Sequence, residues 1–264
     1  MIEQYIGTIG SGKSYHALER ILEALKKGKH VIANFPLNFP DGMVRRGYAD
    51  RFMYVPDEFL MGAEGVAFLY QLSTEEINIG INLYEPRFYG QESQCLVVID
   101  EAGNYFDPMD HAKPEQKLWK TFFTQSRKMG YDFILVSQTD RQVNRTIRAC
   151  VEYDVVHRKA NRVAPFKWLP FTIFMYVTYW KQSRERLGSE SSIFVKKYSE
   201  LYDTHQLFGN FDKDVDFDIG DHVANFSLQF GNCNLGEIVA LDEVTGGGAP
   251  LGVEPTGDSS RAQD

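Results

Sequence analysis

The sequence contains few cysteines, and they are far apart along the chain. The 264 residues include only Cys95, Cys150 and Cys233. Three thiols at such distances are too few for a disulfide framework, and no pair has the C-x-x-C spacing of a metal site. We therefore expect three free thiols and a protein of a reducing compartment.

The sequence also lacks a long hydrophobic run. Its densest apolar stretch, residues 165–180, is shorter than the roughly 20 apolar residues of a membrane-spanning helix. The stretch contains Lys167 and two prolines, and the β-branched and aromatic residues from Phe171 to Trp180 favour a strand. The first residues do not resemble a secretory signal. We expect no transmembrane segment in this chain.

Basic residues are in the minority overall, which argues against a simple nucleic-acid coat protein. The formal net charge is −8. Residues 200–264 carry 13 acidic and 2 basic residues, whereas residues 141–199 carry 12 basic and 4 acidic residues. The basic stretch includes Arg141, Arg145, Arg148, Arg158, Lys159 and Arg162. It suits phosphate groups or an acidic partner, and a solvated surface is the open alternative.

The pattern of apolar residues predicts alternating strands and helices. Apolar residues make up 43% and charged residues 24%, which excludes a fibrous or wholly disordered protein. We predict strands at 3–6, 30–33, 52–55, 95–99, 133–136 and 153–156, and helices at 13–27, 57–64, 74–84, 115–129 and 141–149. This alternation is typical of a parallel α/β sheet. Antiparallel strands at 171–180 and 192–197 are expected to follow.

A glycine-rich motif lies between the first predicted strand and the first predicted helix. Residues 7–14, Gly-Thr-Ile-Gly-Ser-Gly-Lys-Ser, match G-x-x-x-x-G-K-[ST] in full. The glycines let backbone N–H groups turn toward an anion, Lys13 reaches the β- and γ-phosphates, and Ser14 ligates Mg²⁺. The residues expected to bind nucleotide are Gly7, Thr8, Ile9, Gly10, Ser11, Gly12, Lys13, Ser14 and Tyr15.

Two carboxylates after an apolar strand form the second element of the predicted site. Residues 95–99 are continuously apolar, as in a strand buried on both faces, and Asp100 and Glu101 follow them. In an open α/β sheet the carboxyl ends of the strands face the ligand. Asp100 is expected to hold Mg²⁺ through water, and Glu101 to polarise the attacking water. Without the glycine motif, the same pair is also compatible with a helix N-cap.

A third polar group closes the next buried strand. Ser137, Gln138 and Thr139 follow residues 133–136, and the Gln138 amide is expected to contact the γ-phosphate or the water. Arg127 lies 11 residues before Gln138, near the end of the preceding predicted helix. An arginine of this kind stabilises transition-state charge and, in ring ATPases, comes from the neighbouring subunit. The alternative is a cation that interacts only with the helix dipole.

The order of these motifs resembles that of the FtsK–HerA superfamily of DNA-translocating and secretion ATPases, in which the Gln-bearing strand lies between the two motif strands. Several segments are more narrowly similar to the zonular occludens toxin (Zot) family, which includes the morphogenesis ATPases of filamentous phages. They are Val31-Ile-Ala-Asn34, Val98-Ile-Asp-Glu-Ala102, Ser126-Arg-Lys-Met-Gly-Tyr-Asp132 with Ile134-Leu-Val-Ser-Gln138, and Leu201-Tyr-Asp-Thr204. The resemblance covers about residues 1–205.

The resemblance implies a P-loop NTPase of the RecA or FtsK–HerA type, an α/β fold with a mainly parallel sheet, flanking helices and C-terminal antiparallel strands. It implies bound ATP and Mg²⁺, with Glu101, Arg127 and Gln138 as catalytic residues. The implied assembly is a homo-oligomer, a hexameric ring. The implied partners are phage DNA or a DNA–protein complex and a membrane or capsid assembly protein. The implied location is the host bacterial cytoplasm, at the periphery of the inner membrane or at the virion vertex.

The expected division of the chain places the ATPase domain at 1–205, with an insertion at 34–94 between core strands. An acidic segment at 206–244 and a disordered tail at 245–264 follow, because the tail is poor in apolar residues. The filamentous phage ATPases usually carry a membrane-spanning helix after this domain, and this sequence shows none. Two interpretations are open: a soluble variant, like the packaging ATPases of icosahedral membrane-containing phages, or a relative whose membrane segment is on a separate chain.

Two other functions remain open from the residues alone. A nucleoside or metabolite kinase also begins with a glycine-rich phosphate loop, but it has no use for a base directly after the metal-holding Asp, so Glu101 and Gln138 disfavour it. A non-catalytic protein, either a toxin-like effector or a scaffold, does not need Lys13 or Glu101, and both are present. The sequence therefore favours an oligomeric ATPase that drives phage DNA packaging or virion extrusion.

Overall fold

A computed structural model describes residues 1–74, 76–78, 84–86, 89–110, 113–162, 168 and 170–202. The predicted acidic segment at 206–244, the predicted tail at 245–264 and Cys233 lie outside the described residues. Cys95 and Cys150 carry free thiols, as expected. In the described part of the chain, no helix is long and apolar enough to cross a membrane.

Ten strands and seven helices lie within the described ranges. The strands are β1 (Ile2–Ile6), β2 (His30–Ala33), β3 (Phe52–Tyr54), β4 (Glu76–Asn78), β5 (Tyr84–Pro86), β6 (Cys95–Ile99), β7 (Tyr131–Ser137), β8 (Tyr153–Lys159), β9 (Ile173–Trp180) and β10 (Glu185–Ile193). The helices are α1 (Lys13–Lys26), α2 (Asp41–Val44), α3 (Asp57–Leu60), α4 (Ala63–Thr74), α5 (Pro114–Gln125), α6 (Arg145–Arg148) and α7 (Lys196–Ser199).

Eight of the described strands form one sheet, in the order β10-β9-β8-β1-β7-β6-β2-β3. The six strands from β8 to β3 are parallel, and β9 and β10 are antiparallel to their neighbours. β7, which ends before Gln138, lies between β1, which leads into the glycine motif, and β6, which leads to Asp100. The predicted parallel α/β sheet with C-terminal antiparallel strands, and the central place of the Gln-bearing strand, are confirmed.

Helices cover both faces of the central strands, which explains why β6 and β7 are continuously buried. On one face, Leu18 and Ile21 of α1 pack in the same core cluster as Ile134 of β7. On the other face, Trp119 of α5 lies edge-on to Phe133, with ring centroids 6.3 Å apart. This two-sided packing fixes the ends of the parallel strands, from which the site residues project.

The region between β2 and β6 differs most from its prediction. The predicted helix at 57–64 is two helices, α3 and the start of α4. In its described residues the predicted helix at 74–84 is wrong, because α4 ends at Thr74 and β4 pairs antiparallel with β5. From Ile77 onward, Ile alternates with Asn and Gly, a two-residue period that suits a strand. In the same region β3 pairs with β2 and so extends the main sheet.

Boundaries in the second half of the chain also differ. The predicted strand at 192–197 is wrong, because β10 ends at Ile193 and α7 follows. β10 is an exposed edge strand of mostly polar residues, so its sequence has no apolar alternation. The predicted helix at 115–129 ends at Gln125. The predicted helix at 141–149 is reduced to α6, which Asn144 caps by accepting two backbone hydrogen bonds.

Candidate nucleotide-binding site

The phosphate loop, residues 7–14, joins β1 to α1 with a backbone that only glycine adopts easily. Gly10 and Gly12 have φ angles of 70° and 96°. A side-chain carbon at Gly7 would lie 2.8 Å from the His157 carbonyl oxygen. Lys13 turns back over the loop, and its Nζ donates to the Gly7 carbonyl at 2.9 Å. The loop thus holds a cation against a concave backbone, as phosphate binding requires.

Ser14 and Asp100 meet beside the phosphate loop. Ser14 Oγ donates to Asp100 Oδ2 at 2.9 Å. Burial raises the pKa of the Asp100 carboxyl and lowers the pKa of Lys13. No group of three or more His, Cys, Asp or Glu side chains able to hold a metal occurs among the described residues. One hydroxyl and one carboxylate fit Mg²⁺, which takes waters and substrate phosphates as its other ligands.

Glu101 lies directly after β6 in a strained backbone conformation. Its φ of 49° is in the left-handed region, which costs a residue with a side chain about 1–3 kcal/mol. The Glu101 N–H donates to Asp100 Oδ1 at 2.9 Å and closes the turn. Burial and, to a smaller extent, the charge of Asp100 raise the pKa of Glu101. The side chain is half-buried, and its carboxyl is therefore more basic than an ordinary glutamate.

A buried amide from the neighbouring strand holds the backbone of Asp100. Asn34, directly after β2, accepts from the Asp100 N–H at 2.8 Å and donates to the Asp100 carbonyl at 2.9 Å. Its amide also donates to Asp57 Oδ1 at 2.7 Å, and the Tyr105 hydroxyl donates to the other Asp57 oxygen. Burial raises the pKa of Asp57. These three side chains, the amide clamp, fix the turn that carries Asp100 and Glu101.

Gln138 lies beside the phosphate loop. The Gly7 N–H donates to the Gln138 carbonyl at 3.2 Å. Gln142 Oε1 accepts from the N–H groups of Gln138 and Thr139, at 2.8 and 3.1 Å. The buried Ser137 hydroxyl donates to the Thr139 carbonyl. These contacts couple the phosphate loop to the segment after β7.

Arg127 does not join this site within its own chain. It lies in the turn between α5 and β7, at the amino ends of the parallel strands, whereas the phosphate loop lies at their carboxyl ends. The seven residues of β7 separate these two edges by about 20 Å. The Arg127 side chain is 73% exposed and forms an ion pair with Glu92, with Nε and Oε1 2.9 Å apart. Arg127 could contact a bound phosphate only at the phosphate loop of a second copy of the chain.

Tyr15, which was expected to bind nucleotide, has its side chain directed elsewhere. Its ring packs against Phe174 and Phe194. Its hydroxyl donates to the Ile193 carbonyl at 3.2 Å and accepts from the Val195 N–H at 3.0 Å. The Tyr15 side chain therefore has a structural role, because it attaches α1 to the end of the β9–β10 hairpin, and the nucleotide contact expected of Tyr15 stays a prediction.

Sequence reasoning missed four residues of the site, the first of which is Asn34 of the amide clamp. Asp57 and Tyr105 complete the amide clamp, and the Tyr202 hydroxyl lies 3.4 Å from Asp100 Oδ2. Tyr105 lies only four residues after Glu101, whereas Asn34, Asp57 and Tyr202 come from segments far from the motifs. The only available signals were the family-like segments that contain Asn34 and Tyr202. Ile9 lies at the tip of the phosphate loop and is 75% exposed.

Comparisons with known proteins place these residues in a family. The family model for zonular occludens toxin (Zot) matches residues 1–167. The Gene 1 protein of Enterobacteria phage f1 is 23% identical over 260 residues, and that of phage fd is 24% identical over 260 residues; each match covers 90% of this chain and 69% of the relative.

Two solved structures are similar at low sequence identity. One is the N-terminal domain of zonular occludens toxin from Neisseria meningitidis, with 17% identity, a TM-score of 0.45 and coverage of 76% of this chain and 98% of that chain. The other is B204, the DNA-packaging ATPase from Sulfolobus Turreted Icosahedral Virus, with 12% identity, a TM-score of 0.43 and coverage of 74% and 96%.

Proposed function

The chain belongs to the zonular occludens toxin family, and we propose that it is an oligomeric ATPase that drives phage DNA packaging or the assembly and extrusion of virions. One observation carries the proposal. Lys13, Ser14, Asp100 and Glu101, from two separate motifs, converge beside one phosphate loop, with Ser14 and Asp100 in direct contact. The Gene 1 proteins of Enterobacteria phages f1, fd and M13 match along most of this chain and support the phage role.

Each side chain has a distinct task in ATP hydrolysis. The loop N–H groups and Lys13 bind the β- and γ-phosphates, and Ser14 with Asp100 would hold Mg²⁺. When bound, Mg²⁺ neutralises charge that develops on the phosphate oxygens. Glu101 accepts a proton from the attacking water, for which its raised pKa suits it. The amide clamp keeps the Glu101 turn in place before substrate binds.

The proposed assembly is a ring, which we take to be hexameric. Arg127 is exposed and far from the phosphate loop of its own chain. In a ring, the Arg127 of one copy can therefore contact the phosphate loop of the neighbouring copy. An arginine supplied in this way stabilises transition-state charge. The proposal places the ring in the cytoplasm of the bacterial host, where ATP is found, at the inner membrane or at the virion vertex. Its partners there are phage DNA and a membrane or capsid assembly protein.

The test is ATP hydrolysis by the purified chain, measured with and without Mg²⁺ and DNA, together with the mass of the particle. We expect Mg²⁺-dependent turnover, stimulation by DNA and a particle of several copies. Lys13→Ala should lose turnover by roughly 10²–10³ or more, because the cation at the phosphates is removed. Lys26→Ala, an exposed lysine of α1, is the matched control. Normal turnover by a folded Lys13→Ala protein would contradict the proposed function.

A further inference from the structure

An open groove lies beside the phosphate loop, away from the amide clamp. It runs between the segment 140–148 and the strands β1, β8 and β9. Ile6, the last residue of β1 before the phosphate loop, is part of its lining, together with Val156 of β8 and Tyr179 of β9. The groove is therefore directly adjacent to the nucleotide site but does not overlap it.

The groove is basic. The charged side chains that line it are Asp140, Arg141, Arg145, Arg148, Asp154, Lys181 and Arg184. Both acids are already paired, Asp140 with Arg148 and Asp154 with Lys181. The other three cations, Arg141, Arg145 and Arg184, are exposed and form no ion pair with any described residue. The groove thus presents three uncompensated guanidinium groups to a ligand.

An aromatic side chain accompanies these cations. Trp180, at the end of β9, lines the same groove and is 45% exposed. An exposed indole offers a face on which a nucleobase can stack. Bases inside a duplex are already stacked and paired, so this surface suits a single strand better than a duplex.

Residues 138–142 connect the groove to the phosphate loop through hydrogen bonds to the Gln138 backbone. Arg141 lies between Gln142, which fixes the end of β7, and Gln138, whose carbonyl accepts from the Gly7 N–H. Arg145 begins α6 just beyond. A ligand that orders the arginines therefore also acts on the segment that contacts the phosphate loop.

We propose that this groove binds a single-stranded nucleic acid, with phosphates on Arg141, Arg145 and Arg184 and a base stacked on Trp180. The assignment deepens the proposed function and rests on it, because it names the nucleic acid on which the ATPase acts. For the part of the basic stretch that lines the groove, the proposal favours phosphate recognition over a solvated surface.

The test is the binding of a short fluorescent oligonucleotide to the full chain, by anisotropy at several salt concentrations, with a duplex of the same sequence alongside. We expect tighter binding of the single strand and a steep loss of affinity with salt. The triple reversal Arg141→Glu, Arg145→Glu, Arg184→Glu should abolish binding or reduce the salt slope by roughly 2, since each phosphate contact contributes about 0.7. Trp180→Ala should weaken binding about tenfold.

The matched control is Arg45→Glu, at an exposed arginine just after α2, which is compared with Arg141→Glu alone so that both variants carry the same change of charge. If the triple reversal melts at a lower temperature than the wild type, the corresponding Gln variants replace it. Undiminished binding by the groove variants, an equal loss in Arg45→Glu, or preference for the duplex would overturn the assignment. ATP hydrolysis without any oligonucleotide binding would contradict the assignment of the groove and leave the proposed ATPase function intact. Binding in the groove without ATP hydrolysis would support the groove and contradict the proposed function.

Discussion

The phosphate-loop site at the carboxyl edge of the parallel sheet and the turn between α5 and β7 at the amino edge differ in how far their charged side chains are buried. At the carboxyl edge, where β1, β2, β6 and β7 end, Lys13, Asp57 and Asp100 are buried and hydrogen-bonded. At the amino edge, Arg127 and Glu92 form an ion pair whose side chains are 73% and 60% exposed. Exposed pairs contribute little to stability, whereas buried charges have perturbed pKa values.

The polar groups at the carboxyl edge therefore form a preorganised site, whereas the charged side chains of the α5–β7 turn lie on an exposed surface. The carboxyl edge has its polar groups fixed before any ligand arrives, as the strained Glu101 and the amide clamp show. The amino edge has an arginine that a weak, exposed ion pair can release at little cost. Substitutions at the two edges should therefore change different properties of the protein.

The largest effect is expected at the amino edge. Arg127→Ala should bind ATP normally and lose about 10³–10⁵ in turnover, because a trans arginine acts only on the transition state. Lys128→Ala, the next exposed cation in the same turn, is the control. A mixture of Arg127→Ala and Lys13→Ala proteins should regain part of the activity, compared with each variant alone at the same total concentration. No recovery in particles that exchange subunits would place Arg127 outside the site.

The next effect concerns the base at the carboxyl edge. Glu101→Gln should bind ATP with Mg²⁺ and hydrolyse it about 10²–10⁴ times more slowly, because an amide accepts no proton while the phosphate contacts remain. Nucleotide binding by calorimetry and single-turnover hydrolysis separate the two steps. Glu92→Gln, the same change at the amino edge, should alter turnover only slightly. If Glu101→Gln lost nucleotide binding altogether, Glu101 would instead have a structural or metal-binding role.

A smaller effect concerns stability against pH. His157 is buried behind the phosphate loop, where its Nδ1 lies 2.9 Å from the Val155 carbonyl and its Nε2 2.9 Å from His16 Nδ1. Burial lowers the pKa of His157 to about 4. The pKa of His157 is lower in the folded than in the unfolded protein. Its contribution to the free energy of unfolding is therefore fully present above about pH 6.5 and is lost as the pH decreases toward 4.

From pH 7.5 to pH 5, His157 alone should cost about 2 kcal/mol of the free energy of unfolding. Urea titrations of the wild type and of His157→Gln at both pH values measure this loss. The variant should lose less stability than the wild type over the same interval. An identical loss in both proteins would assign the acid sensitivity to other groups.

The smallest effect concerns the amide clamp. Asn34→Asp removes both donated hydrogen bonds and places a second carboxylate beside Asp57, so kcat should fall about tenfold with a smaller change in the KM for ATP. The exchange Asn34→Asp with Asp57→Asn restores one donor between these positions and should recover part of kcat. Equal activity of the single and exchanged variants would show that the clamp does not position Glu101.

Local sequence sufficed for the elements that carry the motifs. The phosphate loop was predictable because its backbone requires glycine at fixed spacing, and β6 because a strand covered on both faces must be continuously apolar. The same reasoning placed Asp100, Glu101 and Gln138 at one edge, since parallel strands end together. It failed for β10, an exposed strand without apolar alternation, and for residues 74–84, where the two-residue period that begins at Ile77 was interpreted as a helix.

The sequence by itself determined the parallel α/β sheet, the phosphate loop and the two carboxylates after β6, because each depends on a local periodicity or on a fixed spacing along the chain. Only the tertiary structure decided that Asn34, Asp57 and Tyr105 hold the turn of Glu101, that Tyr15 serves the C-terminal hairpin, and that Arg127 lies at the opposite edge. These outcomes depend on which strands become neighbours, and contacts between segments tens of residues apart are set by packing of the whole sheet.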